Sequence, residues 1–525
     1  MKSKIIYVFL LTVFFASCSE DVLNIKNENA FDGATFFKTA TTIREAGNAT
    51  YATLLNQGMI QREYYYIFDL FGNDCEKNTA LQGGLLTFPN YTHSGSTYEL
   101  NLFFMSTCRL IFRANFTIDA IAKWAPTATT DIAVANQTLG EVGFLKSLAN
   151  FWLVTCYGDM PLKKTLADNY VLQQAKTPKA EIWTYIEATL LDAIEKLPVT
   201  YAAADYGRVT KGAAIALLGK VYLYQKKYDA AIAQFSKLQA TPFSYSLATS
   251  LDDMFIKDLK TSETIFAVIH DRWQGAGVGV VNHMLGGRQE TIGGNATNTG
   301  RAMEYGFADW NNVLVSNALV NSFTYKDEAG KAYIDPRAKL TFYDNLGLNG
   351  GDTGYADLTA TPKTYASAVG TAKKIFSWRK YELYEERLKN GNPDSWINAQ
   401  IIRYADVLLM LAESNIEKAT PDLAAALTQI NQVRVRSGAF QYTTLGTQAQ
   451  ARDILRHERQ IELAGEQVRF NDLVRWGTLV ETINAEKFAF NGTKPVMPYM
   501  VLFPFPQEER DVNPLLNAQI GNNWN

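Results

Sequence analysis

Apolar residues recur every three or four positions in five windows of the N-terminal half, roughly 40–56, 99–122, 139–156, 179–197 and 211–225. That spacing gathers them on one side of a helix, so each window predicts an amphipathic helix. Most windows are followed quickly by another, which makes paired helices the expected unit. Between residues 241 and 400 the periodicity fades. Of the 35 glycines, 16 fall there, with Gly-Gly, Asn-Gly and Asn-Pro turn pairs, so the stretch reads as loop and short strand. Helices resume at Ile401. After Trp476, a tail containing Phe503-Pro504-Phe505-Pro506 must pack as extended chain, because a residue that precedes proline disfavours helix.

The fold class that follows is mainly α: tetratricopeptide-like helix pairs forming a scaffold around a loop-rich, partly β insertion. Leu218, Gly219, Tyr222, Ala231 and Phe235 have the offsets of a tetratricopeptide repeat, with a small residue and an aromatic on the first helix, then Ala and Phe on the second. Gly219 and Ala231 would let the helices approach while Tyr222 and Phe235 fill the space beside them. A weaker copy stands at Leu411, Ala412 and Ala424, with Asn415 and Thr428 in the aromatic slots. Such units cover their apolar faces only by stacking, so several copies are expected. One domain should run over 18–525, with a helical part at about 35–240, a variable ligand region at 241–400, and C-terminal helices and tail at 401–525. Long loops inside a compact helical chain usually serve function, so a ligand site should draw on the insertion.

The N-terminus carries an address. Lys2 and Lys4 precede an apolar run from Ile5 to Ala16, whose twelve residues reach only about 18 Å as a helix, short of a hydrocarbon layer of about 30 Å. Residues 1–17 therefore read as a secretion leader. Phe15-Ala16-Ser17-Cys18 places small residues just before a cysteine, as a lipoprotein signal peptidase requires, so Cys18 is the expected lipidation site; Phe15 stands where Leu is usual. The alternative is ordinary cleavage with Cys18 incidental. Acyl chains would hold the protein at a membrane. Ser19-Glu20-Asp21 resembles a short acidic signal that sends some lipoproteins to the cell surface, against the plainer reading of a solvated tether. No later segment offers about 18 unbroken apolar residues.

Composition narrows the partners. Lys plus Arg total 50 against 53 for Asp plus Glu, a net charge of −3 without long runs of one sign, so nucleic acid is not an expected partner. Aromatics make up 12%, with 27 Tyr and 9 Trp, more than a core needs, and such rings can offer a flat apolar face beside a polar edge. Cys75, Cys108 and Cys156 form no C-x-x-C and their odd number argues against a disulfide framework; Cys108 and Cys156 read as small core residues.

Several motifs, taken in order, carry a resemblance. They are Asp21-Val22-Leu23 after the lipoprotein start, Tyr157-Gly158-Asp159-Met160-Pro161-Leu162, and Arg208-Val209-Thr210-Lys211-Gly212-Ala213-Ala214. Asp335-Pro336-Arg337, Lys380-Tyr381 and the run from Ile402 to Glu413 follow. The series continues with the run from Ile430 to Arg436, the run from Glu458 to Glu466, Arg469, Asp472-Leu473 and Arg475-Trp476, and ends with Leu502 to Pro506 and Asn513-Pro514. Over nearly its whole length the chain resembles the SusD/RagB family of outer-membrane nutrient-binding lipoproteins. The resemblance implies four tetratricopeptide-like pairs under a variable region. It also implies a partner, a SusC-like TonB-dependent transporter over which the protein closes as a lid while holding a glycan or other nutrient. It implies binding without cleavage.

The chemical motifs have plainer readings. Glu458, Glu462, Glu466, Arg469, Asp472 and Arg475 fall three or four apart and read as a ladder of opposite charges on one helical face, each exposed pair contributing about 0.2–0.5 kcal/mol. His457-Glu458 lacks the second histidine of a zinc protease, and His93, His270 and His283 show no ligand spacing, so no metal or cofactor is assigned. Gly207 and Gly212 are spaced as in a phosphate loop, but Ala213 stands where Lys is required. Gly275, Gly277 and Gly279 make a flexible turn. A glycosidase pair of carboxylates could be distant in sequence, but the resemblance argues against it.

A sugar ring stacks its C–H face on Trp or Tyr while its hydroxyls need donors and acceptors. The regions that supply such contacts in the family hold Asn73 and Asp74, Tyr91 and Tyr98, Trp273, and Tyr305 with Trp310. Trp273 is the first choice, flanked by polar residues and followed by Gln274-Gly275. Trp124, Trp152, Trp183 and Trp476 read as core, and at least one of Tyr64-Tyr65-Tyr66 should point inward. The expected function is capture of an oligosaccharide at the outer membrane and its delivery to the transporter. The alternatives are a transporter lid with little affinity of its own, a binder of peptide or another nutrient, or, less well supported, a glycoside hydrolase.

Overall fold

The computed structural model describes residues 36–270, 299, 301–307, 310–355, 363–371, 373, 375–381, 397–487 and 495–517. The leader, Cys18, Trp273, the glycines at 275–279 and His283 lie outside them.

The predicted helices are present. α1 (Ala40–Ala52) starts at Thr39, whose side chain accepts from the Thr42 N–H in a capping box. α2 (Glu63–Leu70) is followed by α3 (Tyr98–Trp124), which ends at Ala125 in the left-handed region just before Pro126. α4 (Thr129–Tyr157) stops at Gly158, at φ +71°. α5 (Lys179–Lys196), α6 (Lys211–Tyr224), capped by Thr210, and α7 (Tyr228–Phe235) follow. The insertion contributes several short helices, among them Leu251–Phe255, α8 (Arg301–Tyr305) and Asn317–Ser322. α9 (Tyr404–Glu417), α10 (Leu423–Arg436), α11 (Gln448–Glu462), α12 (Arg469–Trp476) and α13 (Leu479–Lys487) follow, with one more short helix, Gln507–Val512, in the tail.

Each helix packs on the next: α3 on α4, α4 on α5, α5 on α6, α6 on α7, α7 on α9, and α9 on both α10 and α11. One core draws on residues from Leu54 to Leu516. Two helices in the stack are not amphipathic as expected. α4 is buried on all sides from Gly140 to Val154, and α6 from Gly212 to Gly219, because each is covered by neighbours on both flanks. The α6–α7 repeat forms as predicted, with Ala231 and Phe235 fully buried. The weaker repeat at α9–α10 is displaced by two residues. Ala424 and Thr428 are exposed, and Ala426 and Ile430 are the residues buried.

Ten short strands are found among the described residues: β1 (Cys75–Lys77), β2 (Thr264–Val268), β3 (Val313–Val315), β4 (Thr324–Lys326), β5 (Ala332–Ile334), β6 (Phe342–Asp344), β7 (Gly354–Tyr355), β8 (Lys363–Thr364), β9 (Phe376–Trp378) and β10 (Ala399–Arg403). They form only antiparallel pairs: β1 with β3, β2 with β10, β4 with β5, β6 with β9 and β7 with β8. Of the tail after Trp476 only the stretch Phe503-Pro504-Phe505-Pro506 is extended as expected; Leu479–Lys487 and Gln507–Val512 are helices, since no proline interrupts either. Phe503 packs among Phe71, Tyr157 and Phe470 while its N–H donates to the Cys156 carbonyl at 2.7 Å.

The charge ladder is a correction. Glu458, Glu462, Glu466 and Asp472 do not face solvent; all are buried. Their partners come largely from the insertion and from β10. Arg337 Nη1 lies 2.6 Å from Glu458 Oε1 and 3.0 Å from Glu462 Oε2, Arg403 lies 2.7 Å from Glu462 and 2.6 Å from Glu466, and Lys380 lies 2.9 Å from Glu466. Arg434 takes the second oxygen of Glu458 at 2.6 Å, and Arg436 also pairs with Glu462. Burial would raise the Glu462 carboxyl, but Arg436, Arg403, Arg337 and Lys380 hold it far below the ordinary carboxylate range. The insertion is thus pinned to α11 by desolvated, hydrogen-bonded charges.

Candidate functional site

The point where the insertion meets the N-terminal helices is framed by β1 and β3. Cys75 pairs with Val315, Glu76 with Leu314 and Lys77 with Val313. Beyond the last pair, Asn78 N–H donates to the Asn312 carbonyl at 2.9 Å, and its side-chain amide donates to the Asn311 carbonyl at 2.8 Å. Asn311 sits at φ +47°, in the left-handed region that Asn tolerates better than most residues. Asn312 donates through its side chain to the Tyr66 hydroxyl at 2.9 Å and through its N–H to the Glu304 carbonyl at 2.8 Å. This turn carries Trp310, which is half-buried. A tryptophan that is partly open to solvent and followed by two asparagines can offer a stacking face beside amide donors and acceptors.

The predicted residues divide. Tyr98, the first residue of α3, is 62% exposed. Trp310 is partly exposed, and Trp273 lies outside the described residues. Four others are buried and do not stand on an open surface. The Tyr91 hydroxyl donates to the Phe71 carbonyl at 2.5 Å, with its ring against Phe71. The Tyr305 hydroxyl donates to Asp69 at 2.9 Å, with its ring against Tyr65 and Tyr66. Asn73 bridges Glu486 and Arg469, each at 2.7 Å, and its carbonyl accepts from the Ser316 hydroxyl. Asp74 accepts from Gln460 at 2.9 Å, and burial, opposed by Arg469, pushes its carboxyl up to about 6. The physical reason is common to all four: they fasten loops to the scaffold. Tyr65 and Tyr66 are buried with them, and Tyr64 packs on Trp152.

The anchor of α8 was not visible in the sequence. Arg62 Nε lies 2.6 Å from Glu304 and its Nη1 2.9 Å from Glu63, so one guanidinium serves two buried carboxyls. Burial pushes the Glu63 carboxyl up to about 7 despite Arg62, and raises Glu304 as well. Arg301 stands 3.9 Å over the Tyr381 ring and donates to the Gly465 carbonyl at 2.7 Å. The signal for the Trp310 turn was present as Asn311-Asn312, an amide pair directly after the ring. Among the described residues no group of three or more His, Cys, Asp or Glu could hold a metal ion, and no helix is long and apolar enough to cross a membrane. Cys75 and Cys156 are buried free thiols, Cys108 is half-buried, and burial pushes the Cys108 thiol up to about 12.

Residues 280–524 match a family model described as SusD family, and residues 23–223 match one described as starch-binding associating with outer membrane. The chain is 24% identical over 537 residues to SusD-like protein P25 of Formosa agariphila, covering 98% of each chain. Its fold is similar to the crystal structure of a SusD superfamily protein from Bacteroides vulgatus, with a TM-score of 0.74 and 25% identity over 92% of this chain and 98% of that one. It is also similar to a laminarin binding SusD-like protein, with a TM-score of 0.67 and 22% identity over 91% and 98% of the two chains.

Proposed function

From the premise that the chain belongs to the SusD/RagB family, outer-membrane-associated glycan-binding proteins without catalytic activity, we propose that it captures an oligosaccharide at the cell surface and passes it to a SusC-like TonB-dependent transporter. A lipid on Cys18 moors it. The observation that carries the reading is the partly exposed Trp310 on a turn fixed by Asn78. Tyr98 is the second candidate contact, and Trp273 a third. The laminarin-binding relative supports a glycan as the cargo class. The burial of Tyr91 and Tyr305 favours a second reading, a transporter lid with little affinity of its own.

Calorimetry of the mature chain against a panel of neutral oligosaccharides, laminarin fragments included, separates the two. Capture predicts saturable binding that Trp310→Ala weakens. A flat panel together with retained pull-down of the transporter would leave the lid reading.

A further inference from the structure

A concave surface that includes no residue of the β1–β3 frame surrounds the turn before α6. The turn at Asp205–Arg208 separates two clefts of about 340 and 290 Å³, and both reach strand β2 and Ile269. The turn seats on the end of this strand through Gly207, at φ +94°, where an added Cβ would lie 2.3 Å from Ile269 Cγ1. The smaller cleft is lined by four partly exposed aromatic residues, Tyr201, Tyr206, Phe243 and Tyr245. Their geometry is fixed by neighbours. The Tyr201 hydroxyl donates to Glu141 at 2.9 Å, the Tyr245 hydroxyl lies 3.4 Å from that of Thr210, and the Phe243 and Tyr245 rings are stacked within 11° of parallel. Three charged residues line this cleft. Asp205 and Arg208 neutralise one another at 2.8 Å, and Arg208 also meets Glu141 at 2.9 Å. Lys260 is exposed, its ammonium stands 4.3 Å over the Tyr206 ring, and it forms no ion pair among the described residues.

Aromatic walls suit the C–H face of a sugar ring, and an exposed ammonium with no ion-pair partner among the described residues suits a carboxylate. We infer that this cleft is a second carbohydrate site that takes an acidic sugar residue of the uronic acid class, with the ring against Phe243 and Tyr245 and its carboxylate paired to Lys260. The inference rests on the reading of the protein as a glycan binder, but not on Trp310.

The test uses the mature chain, trigalacturonate and the fully methyl-esterified trimer, which keeps the shape and loses the charge. The acid should bind about three- to fivefold more tightly than the ester at low salt, the range of one exposed ion pair. Lys260→Gln, an exposed change that should leave the thermal midpoint in place, should erase that preference, as should raising the salt to about 0.5 M. Phe243→Ala should weaken both trimers. Trp310→Ala should change neither. An unaltered acid-to-ester ratio in Lys260→Gln overturns the site, and so does loss of trigalacturonate binding on Trp310→Ala alone. No binding of either trimer also overturns it, while the Trp310 reading is decided separately by the neutral panel.

Discussion

A Cβ added to Gly219 of α6 would stand 2.4 Å from Cε1 of Phe235 on α7, so the two helices of this repeat meet with no room for a methyl group. Phe235 is fully buried and cannot swing outward without opening the α6–α7 contact.

Gly219→Ala should therefore destabilise the fold. Overpacking costs up to about 3 kcal/mol at so short an approach, and the better helix propensity of Ala returns about 1 kcal/mol, so a net loss of up to about 2 kcal/mol is expected in denaturant titration. Adding Phe235→Leu should recover part of it. A variant as stable as the parent would mean that the pair is looser than this distance implies.

Charge removal should be costly at α11 and nearly free at the surface. Glu462→Gln leaves Arg403 and Arg337 buried with one carboxylate fewer, and breaking such a desolvated cluster costs about 3–5 kcal/mol. Asp119→Asn removes the exposed pair with Lys123 and should cost below about 0.5 kcal/mol. Equal effects in the two variants would contradict the burial described for Glu462.

The Glu63 carboxyl titrates near 7 in the fold against about 4.5 in the unfolded chain. The folded state therefore binds more protons between these values. The contribution is fully present below about pH 4.5 and is lost as pH rises through 7, an amount of order 3 kcal/mol. Unfolding free energies measured from pH 5 to 8 should fall more steeply in the parent than in Glu63→Gln. Parallel curves would rule the Glu63 assignment out.

Tyr305→Phe and Trp310→Ala should affect different properties. The first removes the hydroxyl that donates to buried Asp69 and should cost about 1–3 kcal/mol of stability without changing glycan affinity. The second should lower glycan affinity by about tenfold or more in calorimetry, the effect of losing a stacking ring. The reverse pattern would place the ligand on the wrong aromatic.

The helices were legible because their apolar spacing matches a helical turn, and α1, α3, α5 and α6 begin within a residue of the expected starts. What spacing could not reveal was the partner. The acids of α11 share a face in the sequence, yet whether that face meets water or guanidinium depends on Arg337, more than a hundred residues away. Ala424 and Ala426 are equally small, and only the contact with α9 selects the second. Tyr305 and Trp310 are five residues apart in similar surroundings, and Asp69, fixed on a distant helix, decides that Tyr305 is the one drawn inward.

The ladder joining β1 to β3 is made by main-chain groups, as is one of the two links by which Asn78 closes it. Main-chain pairing is indifferent to what the turn beyond it displays. Position 310 is therefore a replaceable cassette: its ring could be exchanged for another side chain, redirecting recognition to a different cargo, while Asn311 and Asn312 kept the mount in shape.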